Sequence, residues 1–240
     1  MKSNAHHMSM RTVGLLIACF LSMPALVSAS EIHRYPKTIV ELTQLYERGL
    51  SAWQHYNAYE IQARKENLDE IARLFAAMAA SQSVRTGHFE RLLIDLKGDR
   101  KHCLSHSLSV EMTQDNLRAA IEMELRETDV SFPNALRIIT SEGNRQAIRT
   151  LQIAIDVQRH HREKLKKIHS YSGYFFGALT ATFSKHKLRY FICRQTGAVV
   201  LAKLPSVCPV RGGTTASYID LDAFKTDQRF IACSSNNQIL

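Results

Sequence analysis

Apolar residues recur at spacings of three and four along two long stretches of the chain, which is the period of an amphipathic helix. The segments LFAAMAASQSV and LRAAIEMELRE are also dense in residues with high helix propensity. After about residue 187 the pattern changes to short β-rich runs, LRYFIC and AVVLAKL, separated by a Gln-Thr-Gly turn. The pattern therefore predicts a helical region followed by a small strand-rich module.

The helical region contains an internal repeat, because residues 38–92 and 113–168 track each other position by position. The matched intervals are 16 residues for both Glu66 to Gln82 and Glu142 to Gln158, and 24 against 25 residues for Leu42 to Glu66 and Leu117 to Glu142. Each half is therefore predicted to be a pair of helices.

Several residues mark where these helices should begin, end or bend. Asn67 and Gly143 are residue types that end helices in the left-handed conformation, so they predict a tight turn within each pair. Thr38 and Thr113 are candidate N-caps of the first and third helices. Pro133 should kink or locally break the third helix.

Two helix pairs joined by a polar linker define a mainly α fold. The linker GDRKHCLSHSLS lies around residues 98–109, and it predicts a four-helix bundle over residues 34–170 with one long crossover. Residues 187–224 are assigned to the small β-rich module, and residues 225–240 to a C-terminal tail.

The N-terminal segment has the composition of a secretory signal. Arg11 is followed by TVGLLIACFLSM, an apolar run too short to span a bilayer, and then by Pro24 and the small-residue stretch VSAS. We predict a signal peptide over residues 1–29, cleavage after Ala29, and an exported protein, either periplasmic or secreted. The run LIAC ending at Cys19 also resembles a lipoprotein box, and lipidation there would attach the protein to a membrane.

Charge and cysteine content narrow the classes of partner. The net charge of +9 falls to +7 once residues 1–29 are removed, and export argues against a nucleic-acid partner for this basic surface. Four cysteines then remain, and an even count in an oxidising compartment favours disulfides. The sequence contains no glycine-rich phosphate loop, Ser-His-Asp order or nucleotide fingerprint.

The string EIARLFAAMA with the upstream ARKEN, and NLRAAIEMELRE followed by FPNA and SEGNRQA, resemble rubrerythrins. Two terminal knuckle remnants extend the resemblance over roughly residues 38–220. The resemblance implies a ferritin-like bundle with a di-iron site, a rubredoxin-like iron module after it, reduction of hydrogen peroxide, and a homodimer formed through the bundles.

The same resemblance indicates which residues stand at the iron-ligand positions of the family. Of seven expected ligands, three are kept, namely Glu124, Glu127 and His161. The others fall on Gly49, Gln82, Arg85 and Gln158.

These replacements change the charge that the site can offer to metal ions. Gln82 and Gln158 are neutral where carboxylates would bridge two irons, and Arg85 places a fixed cation in the same cavity. We therefore expect Arg85 to pair with Glu124 and Glu127 in place of a metal. The alternative is one divalent ion, such as zinc, held by the two glutamates and His161.

The knuckles of the terminal module show corresponding losses. Cys193 and Cys208 are kept, while Thr196 and Arg211 stand where the second cysteine of each knuckle would be. Two sulfurs cannot form a four-thiolate site. The resemblance places both sulfurs against one ion, so we expect a Cys193–Cys208 disulfide, and Cys103 with Cys233 is a second candidate pair.

These observations favour an exported rubrerythrin-like protein that has lost di-iron peroxide reductase activity, has no cofactor, and serves a binding or structural role. The alternative is a metal-binding oxidoreductase of the rubrerythrin type with altered ligands, using iron or a single divalent metal. His88, His160, His169 and Tyr56 are interpreted as structural residues in preference to ligands or redox relays.

Overall fold

The computed structural model describes residues 34–99, 108–174, 176–186, 188–205, 207–211 and 213–224. The predicted signal peptide over residues 1–29, Cys19, Cys103 and Cys233 lie outside the described residues. Within the described residues, no helix is both long enough and apolar enough to cross a membrane.

Long helices account for most of the described chain. The first pair is α1 (Pro36–Lys65) and α2 (Asp69–Asp95), and the second half comprises α3 (Thr113–Arg126), α4 (Phe132–Glu142) and α5 (Arg145–Tyr171). The α1 helix packs against α2, α3 and α4, while α5 packs against α2, α3 and α4. Apolar residues from all these helices form one core, whose largest fully buried side chains include Tyr56, Phe75 and Phe132. The fold class predicted from the repeat is confirmed.

The third helix of the bundle is continuous through Pro133, so the predicted break is wrong, whereas the predicted kink stays a prediction. A π-helical turn, Glu127–Ser131, joins α3 to α4, and the residues on either side keep right-handed helical backbone angles. Pro133 lies in the first turn of α4, where a missing N–H is tolerated. A π-helical turn holds an extra residue, which accounts for the longer of the two matched intervals in the repeat.

Both predicted tight turns are confirmed by left-handed backbone. Asn67 has a φ of 58° and Gly143 a φ of 73°. Each turn holds a glutamate that caps a helix of the other half. Glu66 accepts from the N–H of Thr113 at 3.0 Å, and Glu142 accepts from the N–H of Thr38 at 2.7 Å.

The two threonines are therefore not the N-caps that we predicted. The α1 helix begins after Tyr35, and α3 begins after Met112. Thr38 and Thr113 are fully buried inside the first turn of their helices, where their backbone N–H groups receive a carboxylate from the opposite pair. A carboxylate at a helix N-terminus also interacts favourably with the helix dipole. Each half of the repeat therefore stabilises the N-terminus of a helix in the other half.

A short helix and a small sheet follow the bundle. The α6 helix (Phe176–His186), which the sequence pattern did not predict, packs against α2 and α5. The strands β1 (Tyr190–Cys193), β2 (Val199–Leu201) and β3 (Tyr218–Asp220) form an antiparallel sheet in the order β2-β1-β3. Phe191 stands opposite both Val200 and Asp220, and β1 packs against α2. The sheet therefore lies directly on the bundle.

Candidate functional site

A cluster of polar side chains lies in the interior of the bundle, surrounded by its apolar core. Five of its six members are at most 5 % exposed. The cluster draws on α1, α2, α3, the π-helical turn and α5, and it comprises Tyr56, Gln82, Arg85, Glu124, Glu127 and Gln158.

Arg85 is at the centre of this cluster. Its Nη2 lies 3.2 Å from Glu124 Oε2 and 3.7 Å from Glu127 Oε2, and it donates to Gln82 Oε1. The ion pair expected from the sequence is thus present, with Arg85 2 % exposed. Its Nε and Nη1 have no hydrogen-bond partner among the described residues. The contacts that neutralise the guanidinium are therefore made through Nη2.

The two glutamines donate further hydrogen bonds to the carboxylates of Glu124 and Glu127. Gln158 Nε2 donates to Glu124 Oε2 and, at 3.2 Å, to Glu127 Oε2. Gln82 Nε2 lies 3.5 Å from Glu127 Oε1. Both amides sit at positions where the resemblance predicted bridging carboxylates. They act here as neutral donors to the glutamates that remain.

Tyr56 supplies one more donor from α1. Its hydroxyl donates to Glu124 Oε1 at 2.9 Å, and its ring is fully buried. Burial, together with the charges of Glu124 and Glu127, raises the pKa of Tyr56 well above its usual value. The phenol therefore stays protonated and acts as a structural donor, in line with the interpretation made from the sequence.

The electrostatics of the cluster follow from one cation facing two carboxylates. Burial, and then the charge of Glu124, raises the pKa of Glu127 despite the opposing effect of Arg85. For Arg85, burial opposes the charged form, but the two glutamates outweigh it and raise its pKa. The guanidinium therefore remains charged, and the second carboxylate has a higher affinity for a proton than an exposed glutamate has.

The α1 position equivalent to Glu124 cannot hold a side chain in this arrangement. Gly49 is buried, and a Cβ added there would collide with Thr86 Oγ1. Thr86 follows Arg85 on α2. The same helix turn therefore fills the space beside Gly49 and supplies the cation that contacts Glu124 and Glu127. Sequence reasoning did not identify Thr86; the signal was its position directly after Arg85.

The remaining predicted ligand, His161, is engaged elsewhere. Its Nε2 accepts a hydrogen bond from the backbone N–H of Val199 at 2.9 Å, which ties α5 to β2 of the module. Burial, followed by the charge of Arg85, holds the pKa of His161 well below its usual value. His161 and Glu124 both line a cavity of about 70 Å³, but the imidazole nitrogen that could bind metal already has a donor.

The residues present do not fit the di-iron centre that the family resemblance implies. Two irons require several inward carboxylates to neutralise their charge, whereas this site holds two carboxylates that already contact a guanidinium. Among the described residues, no group of three or more His, Cys, Asp or Glu side chains is arranged to hold a metal ion. The assignment of Gly49, Gln82, Arg85 and Gln158 as former ligand positions stays a prediction.

The disulfide predicted in the module is not formed. Cys193 and Cys208 are both free cysteines, although their Sγ atoms lie 3.3 Å and 2.5 Å from the point where a Cβ on Gly213 would stand. Cys208 Sγ instead lies 3.4 Å from the Tyr218 hydroxyl. The sheet and its apolar contacts with Val157 of α5 hold the module without a sulfur bridge.

Thr196 and Arg211, which stand where the resemblance predicts further cysteines, have opposite environments. Thr196 is 1 % exposed, and its Oγ1 accepts from the N–H of Ala198 at 3.3 Å. Arg211 is exposed and donates to Asp156 of α5 at 3.2 Å. The first replacement closes the turn, and the second links the module to the bundle.

The other histidines named from the sequence lie apart from the cluster. His88 Nε2 lies 2.8 Å from the carbonyl oxygen of Gln195, and His169 pairs with Glu122 at the surface at 3.3 Å. The ring of His160 packs against that of His161 with 5.5 Å between centroids. These contacts agree with structural roles.

Comparison with solved structures defines the class of fold. Nigerythrin in its fully reduced, all-ferrous state superposes with a TM-score of 0.66 at 20 % identity, covering 76 % of this chain and 86 % of nigerythrin. M. penetrans ferritin superposes with a TM-score of 0.52 at 16 % identity, covering 62 % of this chain and 94 % of the ferritin. The bundle is therefore ferritin-like, and the small antiparallel sheet is consistent with a rubredoxin-like module.

Sequence comparison places the chain within that class. The family model described as Rubrerythrin matches residues 49–169. A protein of Methanocaldococcus jannaschii described as "Putative rubrerythrin" is 27 % identical over 184 residues, 72 % of this chain and 87 % of the relative. Rubrerythrin-1 of Clostridium acetobutylicum is 22 % identical over 181 residues, 72 % of this chain and 88 % of the relative. The chain belongs to the rubrerythrin family.

Proposed function

We propose that this protein is a rubrerythrin-family bundle in which a guanidinium has replaced the metal centre, so that it acts as a binding or structural protein and not as a di-iron peroxide reductase. The observation that carries the proposal is the contact of Arg85 Nη2 with both Glu124 and Glu127 inside the bundle.

Arg85 and a metal ion would compete for the same two carboxylates. A metal ion could bind Glu124 and Glu127 only after Arg85 left them, which would place an unpaired cation in the apolar core. Arginine does not lose its proton in proteins, so the cation cannot be removed by titration. Gln82 and Gln158 would offer that metal neutral amides in place of bridging charge.

The second candidate is a metal-binding oxidoreductase with altered ligands. The shared cavity of Glu124 and His161 favours it, and one nigerythrin structure is described as all ferrous. On this hypothesis the metal would recruit His161 from Val199 and displace Arg85. It predicts that metal binding disrupts the contact between α5 and β2.

Metal content and turnover distinguish the two candidates. We expect the protein, incubated anaerobically with ferrous iron and desalted, to retain far less iron than stoichiometric and to show no iron-dependent peroxide reduction. The matched control is the variant Arg85→His/Gln82→Glu/Gln158→Glu, which removes the cation, adds an imidazole and returns two carboxylates. The control should retain iron under the same conditions. Retention of about two irons per chain by the unmodified protein, with peroxide turnover, would overturn the proposal.

We also propose that the protein is exported. The charge and apolar pattern of residues 1–29 support this. N-terminal sequencing of protein recovered from its native host should find Ser30 first, whereas a blocked, lipidated Cys19 would indicate membrane anchoring instead. Recovery of an uncleaved chain from the cell interior would contradict export.

A further inference from the structure

A larger cavity lies outside the buried cluster, on the side of the bundle that α6 and the sheet cover. Its volume is about 420 Å³, within the range of small-molecule sites. Its walls come from α2, α5, α6 and the edge of the sheet, and they are mainly apolar, with Leu74, Ile168, Leu179, Phe183, Leu188 and Leu201 among the lining side chains.

The larger cavity adjoins the smaller one that reaches His161 and Glu124. The two share Leu74, Ile168 and Tyr190 among their lining residues. The smaller cavity continues the apolar walls inward with Ala77 and Met78. Together they form a mainly apolar recess that reaches the buried cluster at one end. Small-molecule sites are typically concave and lined mainly by apolar side chains.

Two lysines stand at the rim of the recess. Lys164 and Lys167 both line the larger cavity, and Lys164 also lines the smaller one. Their spacing of three places them on one face of α5. Both are exposed. Within the described residues, the ion pairs of this part of α5 use Arg162 and His169. The two ammonium groups are therefore available to an anionic group at the mouth of the recess.

The polarity of the recess sets the orientation of a ligand. At the inner end, Glu124 is a carboxylate held by Arg85, and His161 Nε2 already accepts a hydrogen bond from the N–H of Val199. An anionic group would be repelled there and attracted by the lysines at the mouth. A chain of methylene groups matches the apolar walls between these ends.

We propose that this recess binds a long-chain alkyl carboxylate, with the alkyl chain directed toward His161 and the carboxylate paired with Lys164 and Lys167. Lys164 and Lys167 do not belong to the Arg85 cluster, so recognition of the anionic head group does not depend on whether the cluster binds metal. The chemical class of ligand is a fatty-acid anion in monomeric form.

The test is a fluorescence titration of the full chain with cis-parinaric acid, whose emission rises in an apolar environment. We expect saturable binding at one ligand per chain, and displacement by palmitate added below its critical micelle concentration. Methyl palmitate, which lacks the charge, should displace the probe at least about tenfold less effectively.

Two variants examine the rim and the walls separately. Lys164→Glu/Lys167→Glu should weaken palmitate binding by about tenfold or more, since two charge attractions become repulsions. The matched control, Arg159→Glu/Lys166→Glu, makes the same change in net charge on exposed residues of α5 outside the cavity lining, and it should bind as the unmodified protein does. Ala178→Trp places a ring at an exposed position on the cavity wall and should block binding. Thermal melts of each variant verify that the fold is kept.

Several results would overturn the proposal. These are absence of saturable probe binding, equal losses in the two charge-reversal variants, or equal displacement by palmitate and its methyl ester. Sedimentation with phosphatidylglycerol vesicles provides a further arm. Binding to vesicles without binding of monomeric palmitate would assign the lysines to a membrane surface and would also overturn it.

Discussion

The interior of the bundle and the terminal module are the two regions where the family resemblance predicts lost ligands, and they differ in what surrounds the residues of ligand type that remain. In the bundle, Arg85 and two glutamines surround the carboxylates of Glu124 and Glu127. In the module, Cys193 and Cys208 are free, and the hydrogen-bond contact of Cys208 Sγ is with the uncharged hydroxyl of Tyr218. Arg211, at one of the vacated positions, points outward to Asp156.

The difference follows from the charge of the ligands that remain. A buried carboxylate without a counter-charge is strongly destabilising, so a site that keeps two glutamates requires a cation. A thiol without a metal takes up a proton and becomes a small, nearly apolar group that is stable in a core. Loss of metal therefore requires compensation in the bundle and little in the module.

His161 is the intermediate case and also the link between the two regions. A neutral imidazole requires a hydrogen-bond partner but no counter-charge, and the N–H of Val199 in the module provides that partner. Stability should accordingly be most sensitive at Arg85, less sensitive at His161 and least sensitive at the cysteines.

The largest effect is expected from Arg85→Ala. Removing the guanidinium leaves two buried carboxylates without their cation, and the free energy of unfolding should fall by about 3–5 kcal/mol. Urea denaturation measures the change. The matched control is Arg64→Ala, which breaks an exposed pair with Glu60 at 2.8 Å and should cost less than about 0.5 kcal/mol. Equal urea midpoints for the Arg85→Ala and Arg64→Ala variants would contradict the expected difference between the buried and the exposed ion pair.

A second effect should appear when the leftover charge is removed as well. Adding Glu124→Gln and Glu127→Gln to the Arg85→Ala variant should recover about 1–3 kcal/mol, because the amides need no cation. The same two substitutions in the unmodified protein should destabilise it, since Arg85 would then be unpaired. Simple additivity of the free-energy changes would mean that charge compensation is not the reason for the arrangement.

The third effect is a dependence of stability on pH through His161. Its pKa in the folded protein is held below the ordinary value, so the unfolded chain binds the proton more tightly. Stability is therefore present above about pH 6.5 and declines as the pH falls from there toward the folded-state pKa, by on the order of 1 kcal/mol per pH unit. His161→Gln should flatten this decline in urea melts between pH 7.5 and 5.

The surface histidine on the same helix provides the control. His169→Gln removes a group that is 37 % exposed in its pair with Glu122 and should leave the decline in place. An unchanged slope in His161→Gln would show that the link between the bundle and the module does not depend on a neutral imidazole.

The smallest effect is expected from the cysteines. Cys208→Ala removes a half-buried neutral thiol and its contact with Tyr218, so the loss in unfolding free energy should be below about 1 kcal/mol. Val210→Ala, in the core of the same module, should cost about 2 kcal/mol and confirms that the measurement senses the module. If Cys208→Ala lowered the unfolding free energy as much as Arg85→Ala does, a cysteine without metal would need compensation after all, which would contradict the difference described between the two regions.

Much of the fold could be predicted because its causes are local. The spacing of apolar residues predicted the helices, and Asn67 and Gly143 predicted the turns, since few other residues adopt left-handed backbone without cost. Pro133 was misjudged because its effect depends on the hydrogen bonding of the preceding turn, which is π-helical. The α6 helix was not predicted because it has only eleven residues, among them Gly177, Thr180 and Thr182, which have low helix propensity.

The resemblance to rubrerythrins was sufficient to predict that a cation and two carboxylates share the bundle interior, because it aligns Arg85, Glu124 and Glu127 with inward ligand positions of the family. Their partners depended on distances between helices. Thr86 occupies the space next to Gly49, and His161 accepts from Val199, 38 positions further along the chain. Whether the two cysteines are bonded likewise depends on how the strands and loops of the module bring them together, and here both are free. Spacing along a helix reports the direction of a side chain, whereas the packing of separate elements decides what it meets there.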